Sequence, residues 1–180
     1  MSDSENAIAR QVRQLLSATR ETLDRVDEDQ AAALRDGVRK AHLVFVAGAG
    51  RTGYISRCFA MRLMHLGLAV HVVGEATAPA PGPGDLLLAF SGTGETLSTC
   101  EVALRAKDLG VPIVAVTANP RSRLAGMAGK ILLLPASDSA FPLGTLFEAS
   151  LYAFLDATFL VLKDELGVTD DEMSSRHALG

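Results

Sequence analysis

Apolar side chains recur at Ile8, Val12, Leu15, Leu16, Leu23 and Val26, with Thr19 on the same stripe and charged residues between them. A recurrence every three to four residues predicts an amphipathic helix. A shorter amphipathic piece follows through Ala33, Leu34 and Val38 and ends near Arg39. From His42 the pattern changes, and short runs that are apolar throughout replace the one-sided stripe. The spacing predicts strands over LVFVA (43–47), AVHVV (69–73), DLLLAF (85–90), PIVAVT (112–117) and KILLL (130–134). Near-continuous apolar runs of this length are what strands covered on both faces look like. Helices are predicted between most of them, over 52–66, 95–109 and 121–128. The 74–84 connection, GEATAPAPGPG, is too rich in Pro and Gly for a helix. Five strands with helical crossovers predict an α/β fold: a doubly wound, three-layer αβα sandwich on a five-stranded parallel sheet, preceded by N-terminal helices.

One segment raises the question of a membrane. Gly144 to Leu162, GTLFEASLYAFLDATFLVL, is long and apolar enough to span one by length alone. It carries Glu148 and Asp156, and a charge at the centre of a span costs roughly 2.5–3.5 kcal/mol on insertion scales. The segment therefore reads as a helix buried on most faces within a soluble protein or an oligomer, with no membrane involved. A length of 180 residues suits one compact domain. Its expected parts are N-terminal helices (1–40), an α/β core (42–135), and a C-terminal helix and tail (144–180).

Charge and composition narrow the class. There are 17 basic and 21 acidic side chains, no Trp, and 5% aromatic residues, which argues against nucleic-acid binding, a task that needs basic surface or stacking platforms. Cys58 and Cys100, the two cysteines, both fall in predicted helices, so no disulfide scaffold is expected. The polar start, MSDSENAIARQV, has no apolar signal segment, and a cytoplasmic location is expected.

Open α/β sheets bind ligands beyond the carboxyl ends of their strands. Two such ends carry informative turns: AGAGRTG (47–53) and SGTGET (91–96). Gly48, Gly50 and Gly53 match a dinucleotide fingerprint, and Glu75 stands near the end of the next predicted strand, where a ribose-binding acid would sit. Against a dinucleotide oxidoreductase, the chain leaves no room for a substrate domain, and that reading does not explain the hydroxyls of the second turn. Ser91, Thr93 and Thr96 crowd six residues there, with Gly92 and Gly94 between them and Glu95 alongside. Hydroxyls and free amides at a helix N-terminus make a phosphate site without any Lys or Arg. A helix cap needs one hydroxyl, and three are present. Thr52, at the first helix start, offers a fourth. No His, Cys, Asp and Glu cluster has metal-ligand spacing, so no metal is expected.

The two turns in this order resemble the sugar isomerase (SIS) domain family, which binds phosphosugars on a flavodoxin- or Rossmann-like fold. AGAGRTG, AMRLMHLG (60–67), VVGE (72–75), SGTGET, AKDLG (106–110), PLGTLFE (142–148) and SRHAL (175–179) together resemble the 6-phospho-3-hexuloisomerase family of SIS proteins. The resemblance covers essentially the chain from residue 5 onward. It implies interconversion of 3-hexulose 6-phosphate and fructose 6-phosphate in the ribulose monophosphate pathway of formaldehyde fixation. It also implies a cofactor-free reaction, a homotetramer, and functional coupling to 3-hexulose-6-phosphate synthase. By position, Thr52 and Ser91, Gly92, Thr93, Gly94, Glu95 and Thr96 hold substrate, and Glu148 is the base. Position 52 is usually Ser in that family; Thr keeps the hydroxyl. A non-catalytic phosphosugar-binding SIS regulator is the alternative within the same fold.

Moving a carbonyl from C3 to C2 requires a base for the C2 proton, an enediolate, and a proton returned to C3. A carboxylate withdrawn from water by an apolar segment is a stronger base, which fits Glu148. Proton movement between O2 and O3 suits a neutral imidazole, and His65 and His177 are the candidates. His65 reads equally well as a packed core residue. Asp156, eight residues after Glu148, is expected to pair with a basic residue. Arg51 meets either the substrate or a subunit partner; the residues alone leave both open.

Overall fold

A computed structural model describes residues 6–136 and 140–177 of the chain. Two helices come first, α1 (Ala7–Leu23) and α2 (Glu28–Lys40). Asn6 accepts from Ile8 N–H at the start of α1, and Asp27 accepts from Gln30 N–H at the start of α2. The Asp27 cap starts the second of the two helical pieces that the apolar pattern predicted.

The sheet contains β1 (Val44–Gly48), β2 (Val70–Val72), β3 (Leu86–Phe90), β4 (Ile113–Thr117) and β5 (Lys130–Leu133). All pairings are parallel, in the order β2-β1-β3-β4-β5. Between the strands run α3 (Gly50–His65), α4 (Leu97–Asp108) and α5 (Arg123–Met127). As the Pro- and Gly-rich composition predicted, β2 and β3 are joined without a helix. A short 3-10 turn, Pro142–Gly144, leads into α6 (Thr145–Leu166), and α7 (Asp170–Ser175) follows.

Alternate residues of each strand face opposite layers. Val44, Val46, Leu86, Leu88, Phe90, Val114 and Val116 pack with Leu34 and Val38 of α2, Phe59 and Leu63 of α3, and Leu151 and Leu155 of α6. Phe45, Ala47, Leu87, Ala89 and Ala115 pack with Cys100 and Ala103 of α4 and Leu124 of α5. Both faces are covered, which is why the strands are apolar throughout. The three-layer αβα sandwich on a five-stranded parallel sheet is the predicted fold class.

The apolar 144–162 segment forms most of α6. The stretch Pro142–Leu166 is long and apolar enough to cross a membrane by length and composition, yet half of its most apolar window is buried inside the protein. It packs along α1 and α3 and carries Glu148 inward. The C-terminal tail differs from expectation: 170–175 is helical. Thr169 and Glu172 form a reciprocal capping box, the device that starts α7 in an otherwise polar stretch.

Candidate active site

The crossovers leave β1 through α3 on one face and β3 through α4 on the other. The chain therefore diverges between two adjacent strands, the place where open α/β sheets form a ligand crevice. Both glycine-rich turns lie at the carboxyl ends of these two strands.

The first turn is shaped by close approach. A Cβ on Gly53 would stand 2.6 Å from the Gly48 carbonyl oxygen, so only glycine lets α3 start directly against the end of β1. Starting at Gly50, earlier than the predicted 52, places Arg51 and Thr52 in the first helical turn. Gly48, Gly50 and Gly53 line a pocket of about 200 Å³ with Tyr54 and Arg57. Glu75 does not share it. That side chain lies at a different, mostly apolar cavity of about 270 Å³ under the 74–84 loop, with Phe45, Leu87, Val102 and Arg105. The acid and the glycines of the dinucleotide-like pattern thus line separate cavities.

The second turn is a compact hydrogen-bonded knot. Ser91, buried, shares a hydrogen bond with Thr96 Oγ1 at 2.9 Å, and its Oγ accepts from Gly94 N–H at 3.1 Å. Thr93 Oγ1 accepts from Glu95 N–H at 3.1 Å. The Gly92 carbonyl accepts from Thr117 Oγ1 and from Ala118 N–H, tying the turn to β4. Thr96 occupies the N-cap position of α4 without a side-chain capping bond. The Glu95 carboxylate turns away to accept from Arg123 N–H at 3.0 Å, at the start of α5. This contact ties the turn to the start of α5, in keeping with a supporting role for Glu95.

α6 brings the base candidate over this crevice. Leu143 and Gly144 enter the helix in the left-handed region, at φ 56° and 79°. The next turn sets the Phe147 ring against Gly92, where a Cβ would be 3.0 Å from the ring. Glu148 follows, only 8% exposed. Thr52 Oγ1 donates to Glu148 Oε1 across a long 3.4 Å, and Arg51 Nη2 lies 2.8 Å from Oε2. That second contact is an ion pair without hydrogen-bond alignment, because Oε2 has no hydrogen-bond partner. Arg51 is the site residue the sequence left undecided; its place between Gly50 and Thr52 was the available signal.

α3 and α6 run side by side in the same direction. Ten residues after Thr52, Arg62 meets Asp156 at 3.3 Å and lies over the Phe159 ring, so Asp156 has the basic partner expected for it. His65 stands at the far end of α3, thirteen residues from Thr52, or about 20 Å at the helical rise. There its ring stacks on that of His177, centroids 5.1 Å apart, and Arg176 donates to the His65 carbonyl. Burial, then the neighbouring His177 and Arg62, hold the His65 imidazole below its ordinary pKa. The structure thus brings Thr52 to Glu148 and the Gly92 turn to the neighbouring Phe147 ring, and holds His65 and His177 away from them within one chain. Among the described residues, no group of three or more His, Cys, Asp or Glu could hold a metal ion.

A doubly wound sheet with two such turns at its switch point and an acid over them is the architecture of a sugar isomerase domain. The chain belongs to the SIS domain family, whose model matches residues 37–161. Within it, the chain is 43% identical over 166 residues to the 3-hexulose-6-phosphate isomerase of Mycobacterium gastri, covering 88% of this chain and 83% of the relative. It is 36% identical over 176 residues to the 3-hexulose-6-phosphate isomerase of Bacillus subtilis (strain 168), covering 93% and 95%. A crystal structure of a Methanococcus jannaschii protein, from which a function of 3-hexulose-6-phosphate isomerase was inferred, superposes with a TM-score of 0.86. The sequences are 34% identical, over 93% of this chain and 98% of that one. The chain is a member of the 3-hexulose-6-phosphate isomerase family.

Proposed function

We propose that the chain interconverts 3-hexulose 6-phosphate and fructose 6-phosphate through an enediolate, without a cofactor. The observation that carries this reading is a buried carboxylate, Glu148, touched by Thr52 and next in sequence to Phe147, whose ring packs on the phosphate-type turn at Gly92. The 91–96 turn and the first turn of α4 hold the phosphate, and that anchor positions C2 against Glu148. Oε1, whose contact with Thr52 is long, is the oxygen that takes the C2 proton and returns it to C3.

His65 and His177 are assigned to proton movement between O2 and O3. At about 20 Å from Glu148 along α3, they serve a site only if it belongs to a second copy. A homotetramer, the state implied by the family, supplies that copy. Exposed Tyr54, Met61, Tyr152, Leu160 and Val161 on α3 and α6 support such packing. In this reading the enzyme works in the cytoplasm, downstream of 3-hexulose-6-phosphate synthase. The test supplies formaldehyde, ribulose 5-phosphate and that synthase, and follows fructose 6-phosphate. Turnover above a chain-free blank is expected; none would overturn the proposal.

A further inference from the structure

We propose that Arg51 is a catalytic residue: its guanidinium neutralises Glu148 in the resting site and then carries the negative charge of the enediolate. This rests on the isomerase reading above and adds a residue to it. Among the described residues, Arg51 is the cation in ion-pair contact with Glu148, with Nη2 2.8 Å from Oε2. The two partners differ sharply in freedom. The Glu148 side chain is 10% exposed, whereas that of Arg51 is 65% exposed. The carboxylate is thus fixed by the fold, and the guanidinium is the partner that can be redirected.

The form of the contact supports redirection. Oε2 is buried and lacks an aligned hydrogen bond, so the pair is held by charge rather than by directional bonding. Forked guanidinium donors have unused directions in such a pair, and an oxygen arriving with the substrate can occupy them. Arg51 also precedes Thr52, so the residue contacting Oε1 and the residue contacting Oε2 share the first turn of α3.

Charge accounting assigns the role. Glu148 Oε1 takes the proton from C2, the C–H electron pair forms the C2=C3 double bond, and the carbonyl π pair moves onto O3. The negative charge leaves the carboxylate and appears on the substrate oxygen. In the second half, the O2 proton passes to O3, C2=O forms, and C3 takes the proton back from Glu148. A cation within reach of both positions has an anionic partner at every stage. The net charge of the cluster never changes, which is what a preorganised site requires.

The experiment compares wild type, Arg51→Met and Arg51→Lys in kcat and in two dissociation constants measured by calorimetry. One ligand is fructose 6-phosphate; the other is a sugar-phosphate hydroxamate whose anionic group mimics the enediolate. Arg51→Met is expected to lose about 10²–10³-fold in kcat, the scale of one lost oxyanion donor, and a comparable factor in hydroxamate affinity. Its affinity for fructose 6-phosphate should change by less than about threefold, because uniform binding is not what is removed. Arg51→Lys should recover part of the kcat. Equal losses for both ligands, or a fully active Met variant beside an active wild type, would overturn the inference alone. A wild type that turns over nothing would overturn the isomerase reading, and this inference with it.

Discussion

Gly94 offers a sharp test of how the second turn is built. It sits at φ +69°, and a Cβ there would stand 2.0 Å from Ser122 Oγ, 2.3 Å from Ser122 Cβ and 3.0 Å from Thr117 Oγ1. Both neighbours are buried, and neither is free to step aside. Ser122 Oγ accepts from Ala125 N–H as the cap of α5, and Thr117 Oγ1 donates to the Gly92 carbonyl. The turn cannot retreat either, since Gly94 N–H donates to Ser91 and the Gly94 carbonyl accepts from Leu124 N–H. In Gly94→Ala, a non-glycine residue in the left-handed region costs about 1–2 kcal/mol. Forcing a methyl into a packed contact adds about 1–3 kcal/mol. The expected loss is therefore about 2–5 kcal/mol, which for a chain of this size lowers Tm by about 5–20 °C.

Thermal and urea unfolding measure that loss, and a second variant separates its two causes. Gly94→Ala combined with Ser122→Gly removes the two closest contacts and leaves the backbone cost and the 3.0 Å approach to Thr117 Oγ1; glycine at a cap position costs only a few tenths of a kcal/mol. The pair should recover most of the packing part of about 1–3 kcal/mol. A Gly94→Ala protein melting within about 2 °C of wild type would refute the reasoning, because it would mean the turn relaxes freely.

Glu148→Gln keeps the side chain's shape and should lose most turnover while still binding fructose 6-phosphate by calorimetry; unchanged kcat would remove Glu148 as the base. A mixture of Glu148→Gln and His177→Ala chains, unfolded together and refolded, should show more activity than either alone if the histidines serve a second copy's site. No gain over the separate proteins would return them to a structural role. His65 has a folded pKa below its ordinary 6.5, so the unfolded chain binds a proton there that the folded chain does not. Stability should therefore fall as pH drops from about 6.5 toward the folded value and be flat above it. Urea midpoints at about pH 7.5 and about pH 5 should differ more for wild type than for His65→Gln; equal differences would refute the assignment.

The strands were legible because helices cover both sheet faces, so every residue of LLLAF or IVAVT is buried and no alternation obscures the run. Glu148 was legible for the opposite reason: an acid inside an apolar segment needs a cause. Arg51 was not, because an arginine in a glycine-rich turn looks like ordinary exposed charge until α6 arrives from 97 residues away. Gly92 likewise reads as a flexible turn, and its contact with Phe147 needs the assembled layers. Two features were present in the letters and went unread. The Thr169 to Glu172 spacing is a capping box, and it predicts α7. The thirteen helical steps from Thr52 to His65 already separate the hydroxyl from the imidazole by about 20 Å.

How a chain of net charge −4 can hold an anion follows from the direction of the hydrogen bonds in the second turn. Ser91 Oγ accepts from Gly94 N–H, and Thr93 Oγ1 accepts from Glu95 N–H. A hydroxyl that accepts from the backbone still has its own proton to give. Backbone donors thus occupy the oxygens, and the O–H groups of Thr93 and of the Ser91–Thr96 pair remain as donors for a ligand. One proton of that pair already lies between the two oxygens at 2.9 Å, which leaves one donor from the pair. The first amides of α4 add donors that no helix carbonyl can use, together with the positive end of its dipole. In the proposed reading, phosphate binding at this turn rests on local donors, and the sign of the whole chain is immaterial to it. Arg51, paired with Glu148 rather than with this turn, is then left for the charge that the reaction creates.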